Sequence, residues 1–197
     1  MLNKQKLEEA LNLLNNRLEL AKASPVHIIA CGGSALIITG IVGRTTKDID
    51  VLGIMKTFEG KKEILKPEPL PEVLQKSILE VADTLGIDKN WLNTGPKDLL
   101  KYGLPEGFLE RLEKREYGRL LTVYFAGRID QIYFKVYAAV DSGPGRHVDD
   151  LLLLQPTVDE IEKAAKWAMT HDPSEPFRNT LKEMLRVLKY ESVAERI

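Results

Sequence analysis

Hydrophobic and polar positions alternate along this chain in two periods. Leu7, Leu11, Leu14 and Leu18 recur at helical spacing, which predicts an amphipathic helix over residues 3–22 with one buried stripe. Ser24-Pro25 ends it, because the residue before a proline is pushed out of the helical region. His27-Ile28-Ile29-Ala30-Cys31 is a short apolar run halted by Gly32-Gly33, and reads as a buried strand. Ser34 is placed to cap a helix from Ala35 to about Ile41, with Gly43 as its stop. From Asp48 to Ile54 acids and aliphatics alternate and aliphatics then take over, the pattern of a strand entering a core from an exposed end.

Lys56 to Pro71 is rich in lysine, glutamate and proline and reads as a surface connection. Helical periodicity resumes over 72–86, and the glycines and prolines between 87 and 106 leave room for short elements only. Leu120 to Ala126 is the third good strand. Ile129, Ile132, Tyr133, Val136, Tyr137 and Val140 then share one side of a helix, with Lys135 off that stripe. Beyond Gly143-Pro144-Gly145 everything reads as helix: 147–154, 158–170 after Thr157, and 174–190 opened by Asp172-Pro173. The expected architecture is α/β, or α+β: a small mixed sheet flanked by helices within residues 1–145, and a helical region, 146–197, packed on it.

A length of 197 residues, 44% hydrophobic and 29% charged, fits an ordinary globular protein with a sizeable core. The formal net charge of -1 provides no global positive field to gather long nucleic acid. One cysteine, Cys31, excludes an internal disulfide framework and a multi-cysteine zinc site, and the three histidines are scattered. No apolar run approaches the roughly 20 residues that span a bilayer, and the first residues do not form a secretory signal. The expectation is a cytoplasmic protein without membrane partners. Walker, Gly-x-Gly-x-x-Gly and Gly-x-Ser-x-Gly motifs are all missing.

Candidate chemistry is concentrated in two neighbouring segments, Cys31-Gly32-Gly33-Ser34 and Arg44-Thr45-Thr46-Lys47-Asp48-Ile49-Asp50. Paired glycines where a strand turns into a helix let a ligand approach the backbone, and the amide-rich helix end attracts phosphate. Asp48 and Asp50, two apart in an extended chain, face the same way with Cα atoms about 6.5–7 Å apart. Carboxylates so spaced can converge on one hard divalent cation, which commonly shares substrate phosphates as ligands. Arg44, with Lys47 as a further cation, is placed to offset phosphate charge. Cys31 reads as packing, and Trp91 as an anchor for its loop.

Gly-Gly-Ser, a helix, and then Asp-x-Asp entering a strand resembles the pattern of the DNA-polymerase-beta-like nucleotidyltransferase superfamily. The resemblance covers about 25 residues. It implies that Gly32, Gly33 and Ser34 engage a triphosphate, that Asp48 and Asp50 bind catalytic Mg²⁺ (or Mn²⁺), and that a nucleoside monophosphate moves to an acceptor as pyrophosphate leaves. A weaker resemblance from Lys135 to Leu154, to the abortive-infection toxin-type branch, implies phosphate contact for Lys135 and a place near the metal for Asp150. The acceptor would be tRNA, a protein or a small molecule. A tRNA would need a basic face built from Lys61, Lys62, Lys66, Arg111, Lys114, Arg115 and Arg119.

One departure from the pattern stands out. The superfamily takes a third carboxylate from a later strand, and Leu120–Ala126 contains no acid, so Asp130, Asp149 or Asp150 has to supply it. This departure motivates a second expectation: a non-catalytic nucleotide-binding or regulatory module, such as one half of a toxin–antitoxin pair.

Overall fold

Six strands form one mixed sheet, and helices flank it or follow it. The computed structural model describes all residues, 1–197, and divides into two compact units, 1–101 with 109–127 and 102–108 with 128–197. The first unit contains α1 (Lys4–Leu20), β1 (Val26–Cys31), α2 (Gly32–Ile38), β2 (Ile49–Phe58), β3 (Lys61–Leu65), α3 (Glu72–Leu85), β4 (Leu92–Asn93), β5 (Glu113–Glu116) and β6 (Leu121–Phe125). The second contains α4 (Arg128–Asp141), α5 (Gly145–Leu154), α6 (Val158–His171), α7 (Glu175–Val187) and α8 (Glu191–Ala194). 3-10 segments occupy Gly95–Tyr102 and Leu109–Arg111.

The sheet order is β3-β2-β1-β6-β5, with β4 added where β3 does not reach the start of β2. β1 is central, antiparallel to β2 and parallel to β6. Its aliphatic run is buried accordingly: Ile28, Ile29 and Ala30 are fully covered, as are Leu121, Val123 and Phe125 beside them. Leu7, Leu11, Leu14 and Leu18 are all at 0% exposure, so the predicted stripe is the buried face of α1. Each such leucine contributes about 1.5–3 kcal/mol relative to leaving it in water. Asn15, on the same buried side, accepts a hydrogen bond from the Leu120 amide at 3.0 Å and ties α1 to the entry of β6.

Three elements differ from expectation. The helix expected from Ala35 begins at Gly32, so Ser34 is its third residue rather than its cap; the cap position is Cys31, without a side-chain bond. The 56–71 connection contains the end of β2 and all of β3. Glu59 and Gly60 both have positive φ, 48° and 80°, the two-residue hairpin turn that matches strand twist. β5, Glu-Lys-Arg-Glu, also carries no hydrophobic pattern. Both missed strands are sheet edges, where charge discourages pairing with another chain.

In the second unit, Arg128 at the start of α4 joins three helices. Its guanidinium donates to the carbonyls of Leu154 (2.7 Å) and Gln155 (2.9 Å) at the end of α5, and to Glu160 (2.6 Å) in the first turn of α6. Carbonyls left open by a helix end are satisfied in this way. Glu160 also completes a capping box with Thr157, the residue expected to open that helix. Tyr133, Phe134, Tyr137, Trp167, His171 and Phe177 form one chain of ring contacts, with Trp167 and His171 centroids 4.0 Å apart. These contacts assign α4 to the helical unit, so the division falls after Gly127, whereas the sequence suggested 145. The long helix α7 lies inside the 174–190 expected and ends at Val187, but it is capped by Ser174 and not opened by Asp172-Pro173; the short α8 follows it. No helix is long and apolar enough to cross a membrane.

Arg196 and Lys166 converge on Glu162, at 2.5 and 2.7 Å, and these hydrogen bonds pull its carboxyl from 4.5 down to about 2. A folded pKa below the unfolded value means that the contribution is fully present above about pH 4.5 and is lost as pH falls through 2. A carboxyl-detected NMR titration should give Glu162 a midpoint near 2. Arg196→Ala, which removes the larger cause, should move it upward. An ordinary midpoint in the intact chain would contradict this pairing.

Candidate functional site

Where β1 ends, the chain turns directly into α2, and the turn residue Gly32 has φ +71°, a conformation L side chains rarely adopt. The neighbouring strand brings an acid to this point. Between Ile29 and Ala30 the β1–β2 register shifts, so that Ala30 pairs with Val51 and Cys31 with Asp50. A regular ladder continued from Ile29 and Gly53 would set Val51 against Cys31 instead. The bulge therefore re-aims the strand so that a carboxylate arrives beside the glycine turn.

The fit is close. A Cβ on Gly32 would stand 2.5 Å from Asp50 Oδ2 and 3.4 Å from its Cγ, so the carboxylate rests against bare backbone. At Gly33, the next residue, a Cβ would lie 3.0 Å from Arg44 Nη2 and 3.1 Å from Thr46 Oγ1. A carboxylate thus rests on one glycine and a guanidinium on the next. Arg44 Nη1 also donates to the Thr45 carbonyl at 2.9 Å, which holds the side chain along its own loop.

That loop is anchored from two directions. Thr46 is 3% exposed and exchanges both backbone hydrogen bonds with Leu2, at 2.7 and 2.9 Å. Its hydroxyl donates to the Asp48 carbonyl at 3.3 Å. Ile49 then donates its amide to the Trp91 carbonyl at 2.6 Å, and Trp91, fully buried, donates its indole N–H to the Ile78 carbonyl. Trp91 is the anchor of its loop, as expected. Asp48 lies one residue before β2 rather than inside it; Asp48 and Asp50 are both half-buried.

On the far side of Asp50 stands Asn93, its partner in the short β2–β4 ladder. A Cβ on Gly95 would be 3.0 Å from Asn93 Oδ1 and 4.0 Å from Asp50 Oδ1, so both oxygens border the Gly95 backbone. Asn93 Oδ1 also accepts the Gly95 amide at 2.8 Å. Sequence reasoning passed over Asn93 and Thr46. The signal for Asn93 was present in Asn93-Thr94-Gly95-Pro96, whose asparagine and glycine mark a local side-chain-to-backbone turn.

Two further expectations are placed differently. Ser34 is fully buried and donates its hydroxyl to the Cys31 carbonyl at 3.2 Å. Its hydroxyl is engaged in the turn itself. Lys135 and Asp150 are brought together, but on each other: Lys135 Nζ lies 2.8 Å from Asp150 Oδ2, with side chains 6% and 1% exposed, between α4 and α5. Taking one partner of such a buried pair away typically costs about 3–5 kcal/mol, because the other charge is stranded. Asp130, in the first turn of α4, is fully buried, and Asp149 is exposed.

Asp48, Asp50 and Asn93 offer oxygen donors, the chemistry a magnesium ion accepts. No cluster of three or more histidine, cysteine, aspartate or glutamate side chains is assembled anywhere. Protein side chains alone would therefore not complete the shell of a hard cation at this point. Searches against protein-family models, characterised proteins and solved structures found no match.

The two glycines should respond differently to alanine. Gly32→Ala meets both the left-handed backbone and the Asp50 carboxylate, and should destabilise by about 2 kcal/mol or more in chemical denaturation. Gly33→Ala meets the movable end of Arg44 and should cost clearly less. Equal losses would contradict the close approach at Gly32.

Proposed function

We propose that the Gly32-Gly33 turn, with Asp48, Asp50 and Arg44, binds the triphosphate of a nucleoside triphosphate together with Mg²⁺, and that the chain is a nucleotidyltransferase. The observation that carries this reading is the seating of the Asp50 carboxylate and the Arg44 guanidinium on two consecutive residues without Cβ atoms. A phosphate tail is an anion that needs close backbone approach, a cation to its side, and acids only where a metal intervenes. Each of those requirements has a residue here. The order of motifs, resembling the DNA-polymerase-beta-like superfamily, supports the same reading.

In the proposed reaction an acceptor hydroxyl oxygen attacks the α-phosphorus and gives up its proton to solvent, the bond to the bridging oxygen of the β-phosphate breaks, and pyrophosphate departs with that electron pair. Asp48 and Asp50 would hold the cation side of the tail, with Asn93, the ladder partner of Asp50, as a further oxygen donor. Arg44 faces its anionic oxygens. Gly32 and Gly33 keep side chains out of the way. When bound, Mg²⁺ would neutralise charge on the phosphates and on the departing pyrophosphate. Lys135 and Asp150 satisfy each other's charge within the helical unit and are given no part in this scheme.

A tRNA acceptor has less support than a protein or a small molecule. Three of the basic residues that would form its face are committed to acids: Lys114 to Glu116, Arg115 to Glu8 and Arg119 to Glu19. A second reading, nucleotide binding without transfer, as in a regulatory member of a toxin–antitoxin pair, is favoured by the lack of a three-acid cluster and of any acid on β6.

The test is Mg²⁺-dependent pyrophosphate release from nucleoside triphosphates. Asp48→Asn with Asp50→Asn should reduce it by about 100-fold or more, with an unchanged thermal midpoint. Undiminished release in the double variant would remove these residues from the mechanism. Calorimetric binding of nucleotide without release over a range of acceptors would favour the second reading.

A further inference from the structure

The opposite end of the β1–β2 pair opens into a groove of about 630 Å³, within the range of small-molecule sites. It begins at Val26, roughly 16 Å along β1 from Cys31 and the glycine turn. Its apolar wall includes Pro25, Met55 and Leu65, and its polar groups include His27, Lys56 and Lys66. No carboxylate lines it. Neither lysine is held in an ion pair: Lys66 is near enough to Asp98 to lower its pKa, but Asp98 is bound to Lys101 at 3.0 Å. The acid that feels His27, Glu116, is likewise taken by Lys114 at 2.5 Å. Beyond His27, whose ring lies 6.5 Å from Tyr124, Lys62 Nζ sits over that tyrosine ring at 5.7 Å. An apolar trough lined by cations and by no carboxylate, with Glu63 opposite Lys56 in the β2–β3 ladder as the nearest acid outside the lining, complements a ligand of the converse make-up.

We propose that this groove is a second binding site, for a small organic anion with an apolar body and one carboxylate or phosphate, whose charged end lies at Lys56, Lys66 and His27. The site is independent of the nucleotide reading and shares no residue with it.

The test is amide-detected NMR titration of the full chain with octanoate, and with 1-octanol as the neutral analogue. Octanoate should shift the amides of Val26, His27, Met55, Leu65 and Lys66 saturably, and 1-octanol should bind about fivefold more weakly or worse, the loss of one or two exposed charge contacts. Lys56→Gln with Lys66→Gln should show the same weakening toward octanoate and none toward 1-octanol. Asp48→Asn with Asp50→Asn should bind octanoate unchanged, which separates this site from any failure at the glycine turn. Equal affinity for the two ligands, shifts confined to exposed residues elsewhere such as Leu152, Leu153 and Val187, or no saturable shift would each overturn the proposal. The comparison of the two ligands decides the matter even where the double variant fails to fold.

Discussion

A carboxylate can lie against main chain only where no Cβ occupies the space, and the candidate site depends on that constraint at Gly32. The residue must be glycine twice over, for its left-handed backbone and for the 2.5 Å that would separate a Cβ from Asp50 Oδ2. Asp50 gets there because the β1–β2 ladder slips by one residue beside it. Thr46, tied to Leu2, and Ile49, tied to Trp91, then fix the loop that delivers Arg44 and Asp48. A central strand, a bulge, a glycine turn and two backbone clamps therefore act as one device. Its product is a pair of opposite charges set against a glycine turn whose first residue is half-buried and whose second is buried.

The helical unit is organised by a different principle. Arg128 satisfies carbonyls at the end of one helix and an acid at the start of the next, and a chain of rings from Tyr133 to Phe177 fills the space between helices. Lys135 and Asp150 are almost completely buried and face each other. A buried pair of this kind contributes less to stability than to the choice of one arrangement, since only the correct helix register lets both charges be met. Their conspicuous place in the sequence reflects that structural commitment as readily as a chemical one.

What the sequence made legible follows from how each element is stabilised. The stripe Leu7, Leu11, Leu14 and Leu18 and the run Ile28–Cys31 are held by burial, and burial writes a period into the chain. β3 and β5 are held by ladder hydrogen bonds at sheet edges and carry solvated charges, so Lys-Lys-Glu and Glu-Lys-Arg-Glu look like loops. Ser34 looks like a helix cap by residue type, but Gly32 can adopt the backbone that starts the helix two residues earlier. Around the turn, the order and spacing of the chain pointed to the glycine pair, Arg44 and Asp50, which the fold brings into contact. Asn93 was not legible, because it reaches Asp50 through a two-residue parallel ladder from a distant segment. The slip in register that aims Asp50 falls beside Gly53, and a glycine inside a strand is the local mark of a bulge, though it does not say which side chain the bulge re-aims.

The most direct measurement of the central claim is paramagnetic broadening of backbone amides by Mn²⁺ in the presence of a nucleoside triphosphate. The account predicts selective loss of the Gly32, Gly33, Asp48, Asp50 and Asn93 signals, dependent on both metal and nucleotide. Broadening centred on other residues, or none at these five when both are present, would contradict it.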